Sequence, residues 1–299
     1  MTLLWRILVS AALIVMLATM CYLDVAWNFG HPGVWLVPLG VLVTCMGVGE
    51  ALDLLRSQGL RPAGWAAYGG ALSVFIAACA PVAFPEYATR LMTAGGTWPL
   101  AAMALAMVMG FAAEMQRYQK PGGAVVRVSL VVFLAAYIGV PLGYAMSLRV
   151  MQANDAGMAA LLTLIVIVKL SDIGAYAVGK SLGRTKLAPR ISPAKTVEGA
   201  MGGLVFAMLG AAALFLLIMP GAGLADQRLP GWKVVVYAAS LSAAGMVGDV
   251  AESLLKRDLQ RKDSSTWMPG LGGVLDFLDS LLFAAPLAYG FWLVGFVRF

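Results

Sequence analysis

Residues Ser253 to Ser280 read SLLKRDLQRKDSSTWMPGLGGVLDFLDS. The first 11 of them hold six of the chain's 36 Lys, Arg, Asp and Glu; a Gly/Pro turn and two aspartates follow. Apolar runs on both sides are long enough to cross a bilayer, which takes about 20 residues. A polar island at a membrane surface is costly unless something charged fills it. This stretch therefore decides the fold class and marks where chemistry is to be sought.

Composition agrees. The 299 residues are 61% hydrophobic and 12% charged, with a mean hydropathy of +0.85, whereas soluble domains carry about 25% charged residues. The expected fold is all-α: a polytopic integral membrane protein with about nine transmembrane helices. Apolar runs place them near residues 3–23, 33–55, 64–84, 97–116, 124–147, 157–180, 199–219, 233–256 and 277–297. The first run follows Arg6 and has no A-x-A cleavage signal, so it reads as a retained helix rather than a signal peptide.

The basic residues orient the spans. With the N-terminus and the loops after spans two, four, six and eight on one side, that side holds 15 of the 21 Lys and Arg; the other holds five, and Lys169 lies within a span. The positive-inside rule then puts the N-terminus in the cytosol. The net charge of +6 sits in these short loops and is no footprint of nucleic acid. Cys21, Cys45 and Cys79 lie in apolar runs without CxxC spacing and read as small packing residues. His31 is the only histidine, which excludes an HExxH zinc site, a His-based triad and a His-rich metal cluster.

Charges are sparse before residue 120, so residues 1–120 read as a transmembrane scaffold region and 121–299 as the region carrying chemistry. Two polar stretches stand out there. In KLSDIGAYAVGKSLGRTKLAPRISPAKTVEGA (169–200), Asp172 and Tyr176 share a helix face. Ser192 fits an N-cap with Pro193 at the first helical position, and Lys195 and Glu198 fall on the next turn. Such a helix start suits a phosphate; a capped helix with a structural Lys–Glu pair fits the spacing equally.

In the second stretch, Asp249, Glu252, Ser253, Lys256 and Arg257 form one helical stripe. Asp276 and Asp279 open the last helix three residues apart. Their alternative reading is capping; for Asp249 and Glu252 it is a salt bridge with Lys256. Together the two stretches supply carboxylates, hydroxyls, bases and glycine turns. Magnesium is commonly held by one or two carboxylates plus phosphates, and phosphoryl-type transfer needs positioning and charge neutralisation above all. A phosphate monoester, with a second pKa of about 6, needs no general base.

Ser253–Asp279 resembles the signature of the phosphatidate cytidylyltransferases, the CDP-diacylglycerol synthases, through Ser253, Lys256, Arg257, Lys262, Asp263, Pro269, Gly272, Gly273, Asp276 and Asp279. The stretch SDIGAYAVGKSLGRTKLAPRISPAKTVEG resembles the family's upstream block, so the likeness covers about residues 165–280. Three positions depart: Leu271 stands where the family usually has His, Phe277 where it has Arg, and Met268 where it has Leu, Ile or Phe.

The resemblance implies that CTP and phosphatidic acid give CDP-diacylglycerol and pyrophosphate with Mg2+, in a multi-pass protein of the cell inner membrane whose site faces the cytosol. It also suggests a potassium-like second cation and a homodimer. On that reading Asp249, Lys256, Arg257, Asp276 and Asp279 are catalytic, and Mg2+ sits on Asp249 with Asp276 or Asp279. A second cation lies near Asp172, Ser192 or Asp249. Substrate contacts fall to Asp172, Tyr176, Ser192, Lys195, Glu198, Ser253, Lys262, Asp263, Gly272 and Gly273. The rival readings are a transporter using Lys169, Asp172 and Asp249, a CTP-dependent lipid kinase, a CDP-archaeol-type synthase and an inactive scaffold.

Overall fold

The structure, a computed structural model, describes residues 3–84, 97–151, 154–221, 229–265 and 272–297. Met268, Pro269 and Leu271 lie outside the described residues. The long helices are α1 (Leu3–Ala26), α2 (Leu36–Ser57), α3 (Gly64–Ala83), α4 (Thr97–Arg117), α5 (Ala124–Met151), α6 (Asn154–Leu182), α7 (Val197–Ile218), α8 (Gly231–Asp258) and α9 (Val274–Leu293). Eight are long and apolar enough to cross a membrane; α1 contributes a shorter apolar stretch, Ala11–Ala26. The chain is an all-α polytopic membrane protein with one addition, a β-hairpin of β1 (Lys186–Ala188) and β2 (Ser192–Thr196).

The chain folds as two compact units. One comprises Met1–Val150 and Asp263–Phe277, the other Met151–Lys262 and Leu278–Phe299.

In the first unit α3 packs through small residues, as membrane helices do when backbones must approach closely. A Cβ on Gly139 of α5 would lie 2.6 Å from the carbonyl oxygen of Ala71 on α3. Helix α2 stops in a Schellman motif. Gly59 takes φ +76, its N–H bonds to Arg56 O and the Leu60 N–H to Leu55 O, a geometry that favours glycine.

One ion pair in this unit is wholly buried. Arg149 Nε donates to Asp24 Oδ2 at 2.6 Å, and both side chains are 0% exposed. Asp24 also accepts from the N–H groups of Gly33 (2.8 Å) and Trp35 (3.0 Å), and Arg149 reaches the Asp24 carbonyl at 3.1 Å. The pair joins the end of α1, the following loop and the end of α5. Arg149 is therefore a core residue rather than a loop charge. The cysteines are unpaired: Cys21 and Cys79 are buried and Cys45 half-buried.

In the second unit α6 and α7 approach closely at glycines. A Cβ on Gly199 would sit 2.8 Å from Ala175 O, and one on Gly203 2.9 Å from Ser171 O. Polar side chains inside the unit pair with each other: Ser171 with Ser242 at 2.7 Å, and Tyr237 with Thr163 at 2.9 Å and Trp292 at 3.2 Å.

Two helices widen into a π turn, α5 at Ala135–Gly139 and α7 at Leu214–Ile218. Each turn ends two residues before a proline, Pro141 and Pro220. Proline offers no N–H and crowds the carbonyl four residues back; the wider turn accommodates both effects.

The expected helix start at Ser192 is corrected by the structure. Ser192 and Pro193 lie in β2, and Thr196 caps α7, its Oγ1 accepting from Gly199 N at 3.1 Å. Pro193 is tolerated because an edge strand leaves some N–H groups unused. Thr196 sits three residues before the amide it caps, the spacing of an N-cap.

Candidate active site

Three carboxylates gather in the second unit, each from a different helix: Asp172 on α6, Asp249 on α8 and Asp279 on α9. They interact electrostatically, Asp249 with both others and Asp172 with Asp279. Two ammonium groups face them. Lys195 Nζ is 2.7 Å from Asp249 Oδ1, and Lys169 Nζ is 3.2 Å from Asp172 Oδ2. Ser280 Oγ donates to Asp172 Oδ1 at 3.0 Å. Asp279 is 7% exposed, and among the described residues no base lies within ion-pair distance of it. Its Oδ1 accepts the Ser280 N–H. A buried acid is costly unless a charge offsets it; Lys169 acts on Asp279 only from beyond ion-pair distance.

The hairpin is what delivers Lys195. Val197 N bonds to Thr185 O at 2.9 Å. Glu198 accepts from the N–H groups of Arg184 at 3.0 Å and Thr185 at 3.1 Å. Glu198 thus closes the base of the hairpin and does not pair with Lys195. On α8 the stripe holds: Lys256 pairs with Glu252 at 3.2 Å, whereas Asp249 pairs with Lys195. Arg257 Nε donates to Ile191 O at 3.3 Å, tying α8 to the hairpin. Ser253 is half-buried on the same helix, and Lys262 is exposed beyond it. Tyr176 is exposed beside Lys180, whose Nζ lies 5.4 Å from the ring centroid.

In the first unit the turn before α9 is built around two acids. Asp276 Oδ2 accepts from Ser264 N (3.1 Å), Ser264 Oγ (2.7 Å) and Gly273 N (2.7 Å). Glu50, buried on α2, accepts from Val274 N (2.8 Å) and Leu275 N (2.9 Å), and lies 3.1 Å from Ser264 Oγ, whose single proton the two carboxylates share. Those amides open α9 and have no partner within the helix. Glu50 is therefore a remote cap, and acid at a helix N-terminus also meets its dipole favourably.

The Gly-Gly pair of the motif follows from the same turn. Gly272 takes φ +84, and a Cβ on Gly273 would collide with Ser264 Oγ and the Glu50 carboxylate. Asp263 and Phe277 of this unit are exposed. Glu50→Ala is expected to cost about 2 kcal/mol or more, since buried N–H groups lose their acceptor. Thermal unfolding in detergent measures it; an unchanged midpoint would rule out the capping role.

Sequence reasoning missed Glu50 and the role of Lys169. Glu50 had one signal, an acid in the last turns of an otherwise apolar helix.

Among the described residues no three His, Cys, Asp or Glu side chains converge to hold a metal ion by themselves. The oxygen donors present do fit a hard divalent cation arriving on phosphates, which needs only one or two carboxylates from the protein. Asp249 and Asp279, from neighbouring helices, are two such carboxylates within electrostatic reach of each other.

Comparison with known proteins adds the family. The chain is 40% identical over 162 residues to a phosphatidate cytidylyltransferase of Bacillus subtilis (strain 168), covering 54% of this chain and 57% of that protein. It is 42% identical over 149 residues to that of Brucella suis biovar 1 (49% and 52%), and 38% over 130 residues to that of Haemophilus influenzae (44% and 44%). The chain thus spans about half the length of the curated relatives it matches. The cytidylyltransferase family profile matches residues 5–294, nearly the whole chain. The chain that sets this acid-and-lysine cluster among membrane helices belongs to the cytidylyltransferase family.

Proposed function

We propose that this protein transfers the cytidylyl group of CTP to phosphatidic acid, giving CDP-diacylglycerol and pyrophosphate. The observation that carries the reading is the cluster of Asp172, Asp249 and Asp279 with Lys169 and Lys195 in a member of this family. The relatives named phosphatidate cytidylyltransferase supply the substrate class. Region 121–299 carries the chemistry and residues 1–120 the scaffold. By the positive-inside count the N-terminus and the cluster face the cytosol, where CTP is found, and the cell inner membrane supplies the lipid. A homodimer is the expected assembly.

A phosphate oxygen of phosphatidic acid attacks the α-phosphorus of CTP in line. The new P–O bond forms as the bond to the β-phosphate oxygen breaks, and pyrophosphate leaves with that electron pair. Lys195, Lys256 and Arg257 neutralise the triphosphate and the departing pyrophosphate, as charge clamps do in such transfers. Mg2+, when bound by Asp249 and Asp279, would supply further neutralisation of the phosphate oxygens. Asp276 and Glu50 hold the start of α9; Ser253 lies one turn before Lys256 on α8, and Lys262 and Asp263 lie along the chain between Lys256 and that turn.

The test is direct. Purified full-length protein in detergent receives Mg2+, phosphatidic acid and CTP labelled in the α-phosphate in one arm and in the γ-phosphate in a second. Labelled CDP-lipid and pyrophosphate in equal amounts are expected. Label in CMP alone, or transfer of the γ-phosphate to lipid, would overturn the reading; the second outcome would establish a lipid kinase. Ion flux into sealed vesicles without CTP turnover would favour a transporter.

A further inference from the structure

We infer that the Lys169 ammonium is the built-in second cation of the carboxylate cluster, so that this protein needs no dissociable monovalent ion beside Asp172. The inference rests on the reading of the cluster as the active site.

Both oxygens of Asp172 are engaged: Oδ2 by Lys169 Nζ at 3.2 Å and Oδ1 by Ser280 Oγ at 3.0 Å. Lys169 lies one turn before Asp172 on α6 and is 26% exposed at its side chain. Its charge acts on Asp279 as well as on Asp172. It therefore already occupies the cation position beside Asp172. A K+ beside Asp172 would meet a resident cation there, and like charges at ion-pair range repel.

The balance of charge agrees. Three carboxylates face two ammonium groups, and Lys195 offsets Asp249 while Lys169 offsets Asp172. Over these five groups one negative charge is left unbalanced, to be met by a cation that comes with the nucleotide to Asp249 and Asp279. A lysine inside a span is costly unless paired; here the pairing also settles the site. Lys169 is a positioning residue: it touches Asp172, not the reacting atoms.

The test needs neither CTP nor lipid substrate, so its failure is distinct from failure of the proposed activity. Unfolding midpoints of the full-length protein in detergent are compared in KCl, NaCl and choline chloride at equal ionic strength. The wild type is expected to unfold at the same temperature in all three. Lys169→Met is expected to fall by about 2 °C or more in choline chloride and to recover in KCl, because a small cation then fills the vacated place. Lys169→Arg keeps the charge and should stay indifferent to the salt. Lys169→Met with Asp172→Asn removes the vacancy and should lose the response to K+. A wild type stabilised by K+ over choline would overturn the inference, whatever the variants do. So would a Lys169→Met protein equally stable in all three salts.

Discussion

Asp249→Asn is expected to lower CDP-lipid formation by on the order of 10²–10³-fold, the loss typical when one preorganised electrostatic contact to a reacting phosphate is removed. Folding should hardly change. The Asp249 and Lys195 side chains are 40% and 20% exposed, and ion pairs open to solvent are worth about 0–1 kcal/mol. The two measurements separate chemistry from stability. Labelled CTP turnover should collapse while the unfolding midpoint stays within about 2 °C of wild type. Turnover near the wild-type rate would end the assignment of Asp249 as a cation ligand.

The second large effect is on stability. Arg149→Met leaves the Asp24 carboxylate buried with no cation, and breaking such a pair from one side costs about 3–5 kcal/mol. Arg149→Lys should recover little. The Arg149 guanidinium donates to both the Asp24 carboxylate and the Asp24 carbonyl, and an ammonium lacks that fork. Arg149→Met with Asp24→Asn removes both charges and should regain much of the loss, as expected of residues in contact. Thermal unfolding in detergent reads all three variants. A single Arg149→Met protein within about 1 kcal/mol of wild type would mean that the pair is not as dry as its burial indicates.

The spans were legible because each needs only a run of apolar residues, and the runs lie within a few residues of the helices. Gly199, Gly203 and the prolines after the π turns were visible as letters, but their contacts were not. Arg149 is one of the five cations counted on the far side, because a charge count has no knowledge of Asp24, 125 positions away. The stripe on α8 was correct as a stripe, while its pairing was only half foreseen. Glu252 meets Lys256 within the helix, a local spacing rule; Asp249 meets Lys195 from the hairpin, which no local rule supplies. Ser192 was misread for a similar reason. Ser-Pro is a good helix opening in isolation, yet Thr196 offered a cap four residues later and the intervening chain paired as a strand.

Glu50 bears on how far this protein can be trimmed. A fragment beginning after residue 120 would retain every acid and base proposed to meet the substrates. It would still lack the acceptor that Val274, Leu275 and Ser264 share. A working fragment therefore has to keep α2, or carry a replacement cap of its own, because the first amides of α9 find their acceptor on that distant segment of the chain.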